Sequence, residues 1–239
     1  MPKQWVIPDI HGCIRTLRML IERQIVPSKQ DALYFLGDYV DRGPDSKGVL
    51  DYVMQLQQDG YNVFPLRGNH EEFMVKTYDE EKLRRNFLFF KQANKSKAQW
   101  VKHGGGDTLQ SFATENPSDI PVHYIDWMRN LPHYAELDKF VLVHAGLNFD
   151  IENPYDDTET MLWVREFKVR SYKVGFRRIV HGHVPVSLDF IDLTIKSPSY
   201  SFIDLDNGCY MVNRAGFGNL LALELGSMDL KVQPNLDME

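Results

Sequence analysis

Three short apolar runs, Trp5-Val6-Ile7, Ala32 to Leu36 and Asn62 to Leu66, divide the first third of the chain, and the stretches between them have helical periodicity. The runs read as buried strands. Between the first two, Ile14, Leu17, Met19, Leu20 and Ile21 fall on one helical apolar face, with Arg15, Arg18 and Arg23 around it. Between the second and third, Val49, Leu50, Val53, Met54 and Leu56 mark a helix that begins near Ser46 and stops at Gly60. A β-α-β-α-β order implies parallel strands, because the chain crosses back through a helix before pairing again in the same direction. The expected class is therefore α/β, and in such sheets ligands bind beyond the carboxyl ends of the strands.

The middle of the chain has a different texture. Residues 71 to about 130 are charged and aromatic and are expected to form a helical insertion beside the sheet, with Phe87-Leu88-Phe89-Phe90 as its most apolar run. Lys95-Ser96-Lys97 reads as solvated surface. Gly104-Gly105-Gly106 breaks helix, and Asp107 or Thr108 is expected to cap the next one. From His133 onward strand signals return, at Tyr134 to Leu137, Phe140 to Val143, Ile179-Val180, Phe190-Ile191, Ser201 to Ile203, Leu220 to Leu225 and Leu230 to Val232. Their close spacing suggests antiparallel pairing in a second sheet. No repeat, low-complexity tract or long linker interrupts the pattern.

With 239 residues the chain can bury one substantial core, and 43% hydrophobic with 25% charged residues is ordinary for a globular protein. Its net charge of -6 argues against a nucleic-acid backbone as the main partner, since such binders carry a basic stripe. Cys13 and Cys209 are the only cysteines, far apart in sequence and without paired-ligand spacing, so neither a disulfide framework nor a thiolate zinc site is expected. The N-terminus has no apolar core of a signal peptide and no run approaches membrane-spanning length, so the expectation is a cytoplasmic protein without membrane partners.

The strand ends carry the chemistry. The first run leads into Asp9-Ile10-His11-Gly12, the second into Gly37-Asp38-Tyr39-Val40-Asp41-Arg42-Gly43 and the third into Gly68-Asn69-His70-Glu71. Val141 to Val143 leads into His144-Ala145-Gly146, and Ile179-Val180 into His181-Gly182-His183. Turn formation accounts for any one of these, because Asn and Gly tolerate left-handed conformations. It gives no reason for oxygen and imidazole donors at five strand ends together. Such donors without thiolate suit manganese, iron or zinc. They also outnumber what one ion needs, whereas two ions bridged by a carboxylate would use them all, and paired ions are a standard device for phosphoester displacement.

The ordered set Asp9-x-His11-Gly12, Gly37-Asp38-x-Val40-Asp41-Arg42-Gly43, Gly68-Asn69-His70-Glu71, His144-Ala145-Gly146 and Gly182-His183 resembles the phosphoprotein phosphatase family of dinuclear metallophosphoesterases. Trp100-x3-Gly104-Gly105-x2-Thr108-Leu109-x-Ser111 is similar to the bacterial and phage branch, which includes small serine/threonine phosphatases and symmetrical dinucleoside tetraphosphatases. Pro8 departs from the glycine often found before the aspartate, but leaves Asp9 and His11 in place. The resemblance implies a two-sheet β sandwich flanked by helices, forming a single calcineurin-like domain over residues 1–239. It implies two divalent ions, with manganese expected and iron or zinc as alternatives. Asp9 and His11 would bind the first, Asp38 would bridge, and Asn69, His144 and His183 would bind the second. Arg42, and Arg165 in Leu162-Trp163-Val164-Arg165, would hold phosphate. His70, oriented by Asp41, would protonate the leaving group after attack by a metal-bridging hydroxide. His181 is expected to support the site rather than ligate, and His103, His123 and His133 match no motif.

The expected activity is a serine/threonine protein phosphatase, with a symmetrical bis(5'-nucleosyl)-tetraphosphatase as the alternative. Asp41 favours the first, since some tetraphosphatases lack an aspartate there. The expected partner is a phosphorylated protein or a small phosphorylated substrate. A catalytically silent phosphate-binding scaffold is the remaining possibility, and the complete ligand set argues against it.

Overall fold

The computed structural model describes residues 2–86 and 95–238. The run Phe87-Leu88-Phe89-Phe90 lies outside the described residues. Strand β1 (Gln4–Ile7) is followed by α1 (Ile14–Met19), β2 (Ala32–Phe35), α2 (Ser46–Gln58) and β3 (Asn62–Pro65). The three strands are parallel and level: Ile7 is opposite Phe35, and Phe35 opposite Pro65. Two further bonds, Leu36 N–H to Ile7 O and Leu66 N–H to Phe35 O, carry the pairing one residue onward. The segments after the strands therefore leave the sheet at one edge. β2 is buried on both faces, with Leu33 and Phe35 in one apolar cluster and Tyr34 and Leu36 in another, which is why its sequence is continuously apolar instead of alternating. Helix α2 starts where Asp45 Oδ1 accepts the Gly48 N–H at 2.7 Å and buries Val49, Leu50, Val53 and Leu56.

Between β3 and β4 the described chain is helical: α3 (Asn69–Asn86), α4 (Lys95–Trp100), α5 (Gly106–Ser111) and α6 (Val122–Arg129). The expected break falls at Gly104, whose φ of 106° only glycine adopts easily. The expected cap does not form. Helix α5 begins at Gly106 with Gly105 before it and no side-chain cap, and Thr108 lies inside the helix, fully buried.

The second half contains β4 (Tyr134–Glu136), β5 (Phe140–Val143), α7 (Thr158–Trp163), β6 (Arg178–His181), α8 (Leu188–Lys196), β7 (Phe202–Asp204), β8 (Asn219–Glu224) and β9 (Leu230–Pro234). Phe190-Ile191, expected as a strand, lies in α8, which Ser187 caps by accepting the Phe190 N–H at 3.3 Å. The expectation of antiparallel pairing throughout the second sheet is also corrected. That sheet has the order β4-β5-β6-β7, and only β4 and β5 are antiparallel. Strands β8 and β9 extend the first sheet instead, with β8 antiparallel to β1, giving β3-β2-β1-β8-β9.

The two mixed sheets face one another across Val6, Tyr34, Leu36, Leu142, Val180 and Leu221. Helices α1 and α2 cover the outer face of the first sheet. No helix among the described residues is long and apolar enough to cross a membrane.

Candidate metal centre

The strand-end segments converge where the two sheets meet. Five residues in them are left-handed without being glycine: His11 (φ 48°), Asp38 (53°), Asp41 (72°), Arg42 (71°) and His183 (73°). Such conformations persist only where surrounding contacts enforce them. Here the Ile10 and His11 N–H groups both donate to Asp38 O, at 3.0 and 2.9 Å, and Gly12 N–H donates to Tyr39 O at 2.9 Å. The buried Glu71 carboxylate accepts N–H bonds from Asp38 (2.8 Å), Tyr39 (2.8 Å) and Gly68 (2.9 Å). Two loops from neighbouring strands are thereby clamped to one side chain. Gly68 is required by closeness, since a Cβ there would stand 2.2 Å from Asp38 Oδ1. Glu71→Ala would strand three buried N–H groups, at about 1–3 kcal/mol each. It should lower stability by at least about 3 kcal/mol in chemical denaturation. An unshifted denaturation midpoint would mean that the clamp contributes nothing to stability.

Asp38 faces two groups of donors, one with each carboxylate oxygen. Its Oδ2 lies 3.6 Å from His11 Nε2 and 3.9 Å from His70 Nε2, while its Oδ1 lies 3.5 Å from His144 Nε2. His11, Asp38 and His70 form one group able to hold a cation, and Asp38, His144 and His183 form another. Asp9 Oδ2 stands 4.0 Å from His11 Nε2, and the Asp9 carboxylate also accepts the His183 N–H. The ring protons are fixed by backbone carbonyls. His11 Nδ1 is 3.0 Å from Val40 O, and His144 Nδ1 is 3.0 Å from Leu36 O, so each neutral ring turns its Nε2 lone pair toward Asp38.

On the second side, His144 Nε2, Asn69 Oδ1 and His183 Nδ1 lie 2.9 to 3.2 Å apart. One proton on His183 satisfies only part of this set, whereas a divalent cation satisfies all of it. The donor set therefore fits two ions sharing Asp38.

The electrostatics agree with that chemistry. Burial lowers the pKa of His11 well below its usual value, with Arg42 adding to the effect, and burial likewise lowers His144. His183 falls to about 3 through burial, then His144, with Arg165 also contributing. All three are thus biased toward the neutral form that a ligand needs. Burial opposes ionisation of Asp38, but His144, His70 and His11 outweigh it and hold its pKa below the usual range. Asp9 departs from this pattern: its pKa is raised, by burial first and then by Asp206 and Asp38, negative neighbours whose effect a bound cation would offset.

Arg42 spans the first group. Its two terminal nitrogens lie 2.6 Å from His11 Nε2 and 2.9 Å from His70 Nε2, and its guanidinium lies 4.4 Å from the Tyr210 ring centre. His70 Nδ1 is 2.6 Å from Asp41 Oδ2. Burial disfavours a charged His70 ring, yet Asp38 and Asp41 raise its pKa overall. Asp41 is held in turn by Trp100 Nε1, which donates to Oδ2 at 2.9 Å, and by Thr108 Oγ1, which donates to Oδ1 at 2.6 Å. Gly104 O accepts the Arg42 N–H at 3.2 Å. Arg165 is exposed just beyond α7. His181 joins neither group and packs its ring against Phe167 and Phe202.

Several contributors carried no assigned role in the sequence. Glu71 stands within the Gly68-Asn69-His70-Glu71 motif, which signals the position but not its clamping role. Trp100 and Thr108 sit in the recognised Trp-Gly-Gly-Thr segment. Asp206, whose pKa burial pushes up to about 7, and Tyr210, whose ring stands edge-on to His11 at 5.0 Å, had no local signal. Cys13 and Cys209, distant in sequence, are buried free thiols that both accept from Asn235 Nδ2, at 3.2 and 3.6 Å.

The calcineurin-like phosphoesterase profile matches residues 2–208, and the chain belongs to that family. It is a metallophosphoesterase, a class that hydrolyses phosphoric esters with divalent ions. Among curated relatives, the symmetrical bis(5'-nucleosyl)-tetraphosphatase of Nitrosomonas europaea is 28% identical over 76% of this chain and 58% of its own length. The Marinomonas enzyme of the same name is 30% identical, with 57% of its length matched, so the chain spans just over half of these relatives. The asymmetrical bis(5'-nucleosyl)-tetraphosphatase PrpE of Anoxybacillus flavithermus is 24% identical over 96% of this chain and 93% of that protein. Among solved structures, a putative diadenosine tetraphosphatase superposes with a TM-score of 0.63 at 19% identity, covering 99% and 97% of the two chains. A serine/threonine phosphatase from Saccharomyces cerevisiae superposes with a TM-score of 0.65 at 13% identity, covering 100% and 81%. Likenesses this distant bear on the fold alone.

Proposed function

We propose that the chain is a dinucleoside polyphosphate hydrolase, cleaving a phosphoanhydride bond at the Asp38-centred site. The observation that carries the hydrolytic part is the pair of donor groups sharing the two oxygens of Asp38. Asp9, His11 and Asp38 would hold one ion, and Asp38, Asn69, His144 and His183 the other. When bound, two such ions supply a water acidified toward neutral pKa and offset the charge of the phosphate. Arg42 presents forked donors beside this group and orients the phosphate, with Arg165 approaching from the His183 side. His70, its Nδ1 tied to Asp41, directs Nε2 inward and gives its proton to the departing oxygen. Trp100 and Thr108 keep Asp41 from turning away. The substrate preference is supported by the names of the curated relatives, symmetrical and asymmetrical alike.

A serine/threonine phosphatase is the second reading, favoured by the short Asp41–His70 contact. An alkoxide leaving group needs a proton far more than a phosphate oxyanion does. Incubation with manganese and either diadenosine tetraphosphate or a phosphothreonine peptide tests the two. Formation of two ADP marks symmetrical cleavage, and ATP with AMP marks asymmetrical cleavage. Turnover of the peptide alone would replace the first reading by the second.

Phosphate contact has its own test. Arg42→Ala and Arg165→Ala should leave the ions bound but weaken inhibition by inorganic phosphate, each by roughly 1.5–3 kcal/mol. An Arg165 variant with unchanged inhibition and turnover would return that residue to the solvated surface.

A further inference from the structure

A cavity of about 610 Å³ opens beside Asn69 and His70 and continues along α3. That volume lies within the range of small-molecule sites, roughly 300–1,000 Å³. One wall is α3 itself, where Asn69, Phe73 and Lys76 recur at helical spacing on one face. Lys76 is about 9 Å of helical rise beyond His70, and Phe73 is about halfway. A second wall comes from the segment containing His103, whose ring packs against Phe73 with centroids 5.9 Å apart. A third is α7, which contributes Leu162 and Trp163. Trp163 is 43% exposed, a large indole facing solvent at the end of a short helix.

The cavity thus joins three chemistries in one space: His70 at the reacting end, an exposed ammonium, and aromatic faces on two different walls; of the two carboxylates that also line it, Glu72 is paired with Arg67 at 2.8 Å and Glu159 stands on α7. A phosphoserine or phosphothreonine side chain gives the aromatic faces nothing flat to meet. A nucleoside polyphosphate matches all three, because it has an anionic chain ending in a planar π-surface. Every base offers such a face, and stacking on an aromatic side chain does not depend on which base it is.

We infer that this cavity is a nucleotide subsite, in which Trp163 and Phe73 hold a nucleobase and Lys76 meets a phosphate next to the one cleaved. The inference rests on the dinucleoside polyphosphate reading for the bond that breaks, but binding can be measured where nothing is cleaved. The probes are a methylene-bridged diadenosine tetraphosphate, which resists hydrolysis, and inorganic tripolyphosphate, which has no base. Binding is followed by equilibrium dialysis with the full chain and manganese.

Trp163→Ala should weaken the nucleotide probe by about tenfold or more while leaving tripolyphosphate binding essentially unchanged. Trp163→Phe keeps a stacking face and should recover most of the loss. Lys76→Ala should weaken both probes and flatten the salt dependence of binding. Failure of the parent chain to bind the nucleotide probe overturns the inference, as does equal loss of both probes in Trp163→Ala, which would mark a structural role. A parent that cleaves diadenosine tetraphosphate while the variants bind normally refutes the subsite and keeps the hydrolase. A parent that cleaves only phosphopeptide, yet binds the nucleotide probe through Trp163, refutes the hydrolase and keeps the subsite.

Discussion

Asp38→Ala should release both divalent ions together and lower turnover by at least on the order of 10³-fold, beyond the loss from removing a single preorganised donor. The reason is geometric: one carboxylate oxygen faces His11 and the other faces His144, 3.6 and 3.5 Å away. No other described side chain touches both groups in this way, so nothing nearby can take its place. Asp9→Ala is the informative comparison. Asp9 lies 4.0 Å from His11 Nε2 and meets the second group only through the backbone N–H of His183, so its loss should weaken one ion more than the other. Elemental analysis after reconstitution and dialysis reads the stoichiometry directly. About two ions per chain in the Asp38 variant would refute the shared carboxylate.

His70→Asn should separate substrates by the basicity of the leaving group. On a phosphothreonine peptide the departing alkoxide is strongly basic, and loss of a general acid should cost on the order of 10²–10⁴-fold in turnover. Nitrophenolate and a nucleoside polyphosphate are both stable as anions, so p-nitrophenyl phosphate and diadenosine tetraphosphate should lose clearly less. Asp41→Asn should show the same selectivity in milder form, since it alters only the 2.6 Å contact that aims the ring. Equal losses on all three substrates, with the ions retained, would make His70 a residue that positions phosphate, as its contact with Arg42 would then suggest.

Where the determinants of structure were local, the sequence was legible. Trp5 to Ile7, Ala32 to Phe35 and Asn62 to Pro65 are strands because compact apolar runs admit little else in a buried α/β sheet. The Asp, His and Asn residues after them do converge, because level parallel strands deliver successive turns to one edge. Phe190-Ile191 was misleading: two adjacent apolar residues imitate a strand, and the signal that decides the matter is the capping Ser187 before them. The pairing of β8 with β1 joins residues more than two hundred positions apart, and no local pattern encodes it. The grip of Trp100 and Thr108 on Asp41 is equally nonlocal. So is the cavity lining by His103 and His133, two histidines that match no motif.

The left-handed turns at His11, Asp38, Asp41, Arg42 and His183 have a consequence for how this fold can evolve. An L side chain in that conformation costs on the order of 1 kcal/mol, whereas glycine occupies it freely. At these five positions heat resistance and chemistry therefore select for different residues. Glycine at any of them would relieve that backbone cost but remove the reactive group, and at Asp41 it would also strand the buried donors of Trp100 and Thr108. The five turns thus mark where this chain carries backbone strain together with its reactive groups.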